Sequence, residues 1–300
     1  MSIDLHQLEV FVEVSRTRNI ARAADNLGLT SSPVSRTLRA LEKRTGLLFH
    51  REHHDMRLTG HGRALLGTAV SVLQLSQVFE DKATGTTRTL RYGMTPWVPD
   101  AYAEGFLTAV GLSGVTPQDA ASGVSVELLE KLVFGEIDMA LVHLPVQRPD
   151  ISSLTLGSYT FDLMVAADDP LVAPAGADGQ QAPVDLSALH GRRVVTLPFS
   201  QMQPTSGANV HDWFRRAGVT DVTEIGFSDY AVLPTRLART HEVSIRARGH
   251  HLGTDGNTVV VPVRDDQPRC EIGVVWRSAA TSRREEIDRV VAALTARFLT

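Results

Sequence analysis

The chain has 300 residues, 43% of them hydrophobic and 21% charged, more apolar material than one ordinary domain core takes up, so two or three cores are expected. A formal net charge of -4 excludes a protein that coats nucleic acid indiscriminately, because phosphate neutralisation needs a basic excess. A single cysteine, Cys270, excludes an intramolecular disulfide and a multi-cysteine zinc site. The first residues carry no basic start followed by an apolar run, and no stretch reaches the roughly 18 apolar residues of a membrane span. A cytoplasmic protein with no membrane partner is the expectation.

The charge is unevenly placed. Between Arg16 and Arg63 there are ten Lys or Arg against four acids, an excess of six, while the remainder is acidic. A small DNA-contacting module on a metabolite-binding body has this asymmetry, since positive charge is needed only where a duplex lies.

In chain order, Leu5, Leu8 and Val12, with Phe11 and Ser15 beside them, predict an amphipathic first helix with Glu9 and Glu13 facing away. Asn19 suits an N-cap for a second helix whose stripe is Ile20, Ala23, Ala24 and Leu27, ended by Gly28. Thr30 caps a third helix reaching about Arg44, with Pro33 in its first turn, where amides have no intrahelical partner. At about 100° per residue, Val34, Leu38 and Leu41 fall on one arc and Ser32, Arg36 and Arg39 on the other, flanked by Ser35. A hydroxyl-and-guanidinium face suits the major groove, where arginine bonds two acceptors on guanine and serine takes a base or a phosphate. Any amphipathic surface helix is polar outside. The order of elements, with a helix, a short turn, a capped second helix and then a charged wing at 47–59, favours DNA reading.

Thr59 caps a long helix bearing Leu65, Leu66, Ala69, Val72 or Leu73, Ser76 and Phe79, close to the spacing by which two copies pack. The small polar run 82–88 suits a hinge. From Leu90 short apolar strands alternate with helical stretches, at 90–94, 126–134 as a helix, 138–143, 161–166, 193–197 and 210–217, followed by strand-like runs at 258–262 and 271–276 and a closing helix at 285–298. This alternation predicts an α/β body of two lobes with a cleft between them.

The segments Asn19 to Leu27, Leu29 to Arg36, Leu38 to Glu42, Gly46 to Phe49 and Leu58 to Gly62 closely resemble the amino-terminal signature of the LysR-type transcriptional regulators. The resemblance is strong over residues 1–80 and general over 90–300. It implies a multidomain α/β protein: a winged helix-turn-helix at 1–58, a dimerisation helix and hinge at 59–88, and a periplasmic-binding-protein-like sensing domain at 89–300, with lobe I at about 89–160 and 268–300 and lobe II at about 161–267. Carried over by position, it implies DNA contacts from Thr30, Ser31, Ser32, Ser35, Arg36 and Arg39, with wing support from Arg51, His54 and Arg57. It also implies double-stranded DNA with an interrupted inverted repeat as partner, a small-molecule co-inducer, and a homodimer that pairs into a tetramer.

In the family the co-inducer lies between lobes, at strand ends. The implied candidates are Thr95, Pro96 and Trp97, then His143, then Ser200 and Gln201, and Phe227 with Ser228. Each has an ordinary loop or packing role as its alternative. Trp97 is the strongest, since a tryptophan at a turn stacks on a planar ligand or plugs the lobe interface. His50, His53, His54 and His61 invite a metal, yet no cysteine or acid completes a shell, so no metal and no cofactor is expected. No Gly-x-Ser-x-Gly elbow, phosphate loop or His-Glu-x-x-His helix occurs, so no catalytic residue is assigned. A solute-binding protein or an enzyme using His143 or His211 are the alternatives.

Overall fold

A computed structural model of the chain describes residues 3–52, 55–85, 89–112, 120–173, 181–199, 204–226, 229, 232–250, 256–264, 267–278 and 283–299. Three helices open it: α1 (Leu5–Thr17), α2 (Ile20–Asn26) and α3 (Ser31–Thr45). Asp4 caps α1 by accepting from Gln7 N at 2.8 Å. As the cap spacing predicts, Asn19 Oδ1 accepts from Arg22 N at 3.0 Å at the start of α2. The buried side of α1 is Val10, Phe11 and Val14, whereas Leu5 is exposed and Leu8 and Val12 are partly buried. The expected stripe is thus displaced, because α1 packs on α4 as well as on α2 and α3. Strands β1 (Phe49–Glu52) and β2 (Asp55–Leu58) pair antiparallel as the wing.

The long helix α4 (Gly60–Thr84) starts at Thr59, whose hydroxyl accepts from Gly62 N at 2.9 Å. It ends at Gly85, held at φ 69°, a left-handed conformation that glycine adopts without penalty. Two five-stranded sheets follow. One has the order β4-β3-β5-β12-β6, from β3 (Tyr92–Met94), β4 (Ala120–Ser122), β5 (Met139–Leu144), β6 (Ile151–Tyr159) and β12 (Cys270–Arg277). Its helices are α5 (Asp100–Gly111), α6 (Ser125–Val133) and α9 (Arg284–Phe298). The other has the order β11-β7-β10-β8-β9, from β7 (Phe161–Ala166), β8 (Arg193–Thr196), β9 (Asp221–Glu224), β10 (Val243–Ala247) and β11 (Thr258–Pro262), with α7 (Pro204–Arg216) and α8 (Leu233–Thr240). We call these lobe I and lobe II. The chain crosses from one to the other at Thr160 and returns between β11 and β12.

One apolar core runs through the amino-terminal module, along α4 and into lobe I. It joins Phe11, Val34, Leu38 and Phe49 to Leu66, Ala69 and Val70, and these to Leu128, Leu132, Val142 and Val275. The opposite face of the lobe I sheet packs Tyr92, Phe106, Val274, Ile287 and Leu294. Lobe II has its own core around Phe161, Trp213, Phe214 and Ile245.

Candidate DNA interface and ligand cleft

On α3 the two arcs separate as helical geometry requires. Val34, Leu38 and Leu41 are buried, and Ser31, Ser32, Arg36 and Arg39 are exposed, with Ser35 half-buried and the capping Thr30 exposed. Thr30 makes no side-chain capping bond, which leaves its hydroxyl uncommitted to the helix end. The helix amino terminus adds partial positive charge on the same side.

The wing arginines differ. Arg51 Nη2 donates to Glu42 Oε2 at 2.6 Å, and the other carboxylate oxygen accepts from Leu48 N at 3.1 Å and Phe49 N at 3.3 Å. Arg51 therefore braces the wing on α3. Arg57 bonds its neighbour Asp55 at 2.6 Å and stays mostly exposed. His54 lies outside the described residues, as does His53. His61 is drawn back to Thr45 O at 2.6 Å. A recess of about 490 Å³ between this module and lobe I is lined by Arg18, Arg57, Arg63 and Arg148 facing Glu130.

The linker helix is fastened to lobe I by a residue that sequence reasoning missed. Gln74 Nε2 donates to Gly135 O at 3.2 Å, and Gln74 Oε1 accepts from Arg277 Nη2. Arg277 is 4% exposed, and its Nε and Nη1 have no partner among the described residues. Burial pulls its pKa below the usual arginine value, while nearby Asp138 opposes this. Asp138 in turn is held by Arg91 at 2.8 Å. A lone glutamine between Leu73 and Leu75 is the only trace of this in the sequence.

At the cleft, Thr95 is buried and its N donates to Leu141 O at 3.0 Å; Pro96 is half-buried. Trp97 has φ 61° and packs against a buried apolar cluster of lobe II that includes Met164, Leu197 and Leu237. His143 is fully buried, with Nδ1 3.1 Å from Ser125 Oγ and Nε2 2.7 Å from Tyr159 Oη. Burial lowers its pKa to about 4, so the ring is neutral and both nitrogens are engaged. Thr95 and His143 therefore sit near each other beneath the surface, and Trp97 reaches to the other lobe. Ser200, Gln201, Phe227 and Ser228 lie outside the described residues.

The description "Bacterial regulatory helix-turn-helix protein, lysR family" matches residues 5–63, and "LysR substrate binding domain" matches residues 119–298, more than half of the chain. The chain belongs to the lysR family. Among relatives of this regulator, the HTH-type transcriptional regulator BudR of Raoultella terrigena is 25% identical over 299 residues, covering 94% of this chain and 97% of its own. The HTH-type transcriptional regulator HdfR of Yersinia enterocolitica is 30% identical over 165 residues, 54% of this chain and 56% of its own. A full-length OxyR variant from Pseudomonas aeruginosa shares the fold with TM-score 0.62 at 22% identity, covering 98% and 95% of the two chains. Full-length CbnR, solved with its target DNA, has TM-score 0.52 at 18% identity, covering 98% and 99%. The regulator is accordingly a DNA-binding transcription factor with an effector-binding domain, and its relatives are regulators, not enzymes.

Proposed function

We propose that the regulator acts in the cytoplasm as a homodimer, pairing again into a tetramer, on an interrupted inverted repeat, and that a small-molecule co-inducer in the cleft between the lobes alters its grip on DNA. The working division is 1–58 for DNA reading, 59–88 for dimerisation and hinge, and 89–300 for sensing. The observation that carries the reading is the exposed Ser31, Ser32, Arg36 and Arg39 edge of α3, opposite a fully apolar inner arc. Thr30, Ser35 and the exposed Arg57 extend this edge, with Arg51 supporting the wing from its bond to Glu42.

Dimerisation is supported by the outer face of α4. Leu66 and Ala69 are taken up by the chain's own core, but Val72, Leu75 and Phe79 are 38%, 50% and 76% exposed at helical spacing. Two such faces bury one another most readily about a two-fold axis, which matches half-sites related by a dyad. Trp97 and Thr95, on a loop between the lobes, support the ligand site.

The test is Arg36→Ala in a mobility shift on DNA from upstream of the regulator's own gene. Affinity falls by about 1–3 kcal/mol, uniformly folded protein being verified by circular dichroism. Unchanged binding by the folded variant removes the assignment of α3 as the reading helix. A genome-wide binding map then names the operator.

A further inference from the structure

The loop between β3 and α5 is anchored on both lobes. Thr95 N is tied to Leu141 O of lobe I, while Asp100 N donates to Gly249 O at 2.9 Å and Asp100 Oδ1 lies 3.0 Å from His250 Nδ1, just beyond β10 of lobe II. Between these anchors Trp97 takes φ 61°, a region that bulky side chains avoid. Pro96 and Pro99 on either side fix their own backbone and narrow the loop's choices.

The ring's destination accounts for this unfavourable backbone. Met164 of β7, Val195 of β8, Leu197, Ile225, and Leu233 and Leu237 of α8 form a buried cluster on the sheet face opposite the main lobe II core. All six belong to lobe II. Among the described residues, Trp97 is the partly buried hydrophobic side chain that packs against them, and it comes from lobe I. An indole from one lobe is thus seated on the apolar face of the other.

We propose that Trp97 is a resident stand-in for the effector: the lobe II cluster is a site for a planar, uncharged aromatic group of about indole size, and the effector acts by displacing the chain's own ring. This rests on reading the cleft as the ligand site. The six residues offer no charge and no hydrogen-bonding side chain, so they select a ring and leave any polar group of the ligand to be held elsewhere. A left-handed backbone at Trp97 is released when the ring leaves, which offsets part of the lost burial and makes displacement by a free aromatic feasible.

Indole itself is the probe, used with the full chain. In Trp97→Ala the seat is vacated, and indole at ten times its dissociation constant raises the melting midpoint by about 3 °C. Wild type, with the seat filled, responds least, and Trp97→Phe falls between. A folded Trp97→Ala whose midpoint does not move up to the solubility limit of indole overturns the proposal. Should the alanine variant not fold, Trp97→Phe against wild type decides, and equal responses overturn it. DNA binding by wild type is measured in parallel: its loss with indole binding retained removes the regulator reading and keeps the aromatic seat, while the reverse removes the seat alone.

Discussion

The amide of Gln74, halfway along the linker helix, accepts a hydrogen bond from the buried guanidinium of Arg277 at the end of the last strand, 203 residues away. The same amide donates to Gly135 O, so one side chain on α4 reads two points on lobe I. Movement of lobe I in the subunit therefore carries α4 and the attached DNA-reading module with it.

Removing that amide leaves a permanently charged group with no hydrogen bond among the described residues. Gln74→Ala is expected to cost about 2 kcal/mol, and Gln74→Glu, which offers Arg277 a carboxylate, to cost less. Urea unfolding of the two variants checks the order; an alanine variant as stable as wild type means the guanidinium has found another partner.

Gly135 occupies the other contact. It holds φ 71°, and an added Cβ would lie 2.7 Å from both Val70 Cγ1 and Gln74 Nε2. Gly135→Ala combines backbone strain with a clash on α4 and is expected to cost about 2 kcal/mol or more. Limited proteolysis within 60–84 is expected to speed up. Unaltered cleavage would show that helix and lobe separate without consequence.

His143 makes the fold acid-sensitive. Its pKa is about 4 in the folded chain against an ordinary 6.5, so the unfolded chain binds the proton first as acidity rises. The stability it supplies is present above pH 6.5 and is lost between there and about 4, amounting to about 2 kcal/mol at pH 5. His143→Gln is expected to flatten the fall in urea midpoint between pH 7 and pH 5. An equally steep fall in the variant assigns the acid sensitivity to other groups.

Glu42 joins α3 to the wing through Arg51, Leu48 N and Phe49 N. Its side chain is 9% exposed, so Glu42→Ala strips partners from two backbone amides and is expected to destabilise by about 2 kcal/mol. Arg51→Ala loses a half-exposed ion pair and costs at most about 1 kcal/mol. Comparing both in urea, and both on DNA, separates bracing of the wing from direct phosphate contact.

The amino-terminal module was legible because its signals are local. Asn19 and Thr59 cap the helices they were expected to cap, and the two arcs of α3 follow from 3.6-residue periodicity alone. Strands β7 and β11 have the expected limits because each is a compact apolar run between turns. Strand β6 was not read, since Gly157 and a register shift opposite Ile272 and Gly273 interrupt its alternation. β10 was missed because Ser244 and Arg246 make it look polar, though all five residues are buried. His143 was expected at a strand end; the strand runs one residue further, and the ring is enclosed by Ser125 and Tyr159, partners supplied by distant segments. Beyond a lone glutamine in an apolar stretch, Gln74 and Arg277 gave no warning, because their pairing exists only once the 203 residues of sequence separation have folded.

That long separation bears on synthesis. β12 lies between β5 and β6 in the lobe I sheet, yet it is the last strand to leave the ribosome. Until residues 270–277 emerge, β5 and β6 have open edges toward each other, exposed to mispairing, and the guanidinium that clasps α4 does not exist. A nonsense codon between α3 and that point yields a nascent product with α3 complete and lobe I unfinished, and degradation before it reaches DNA is expected.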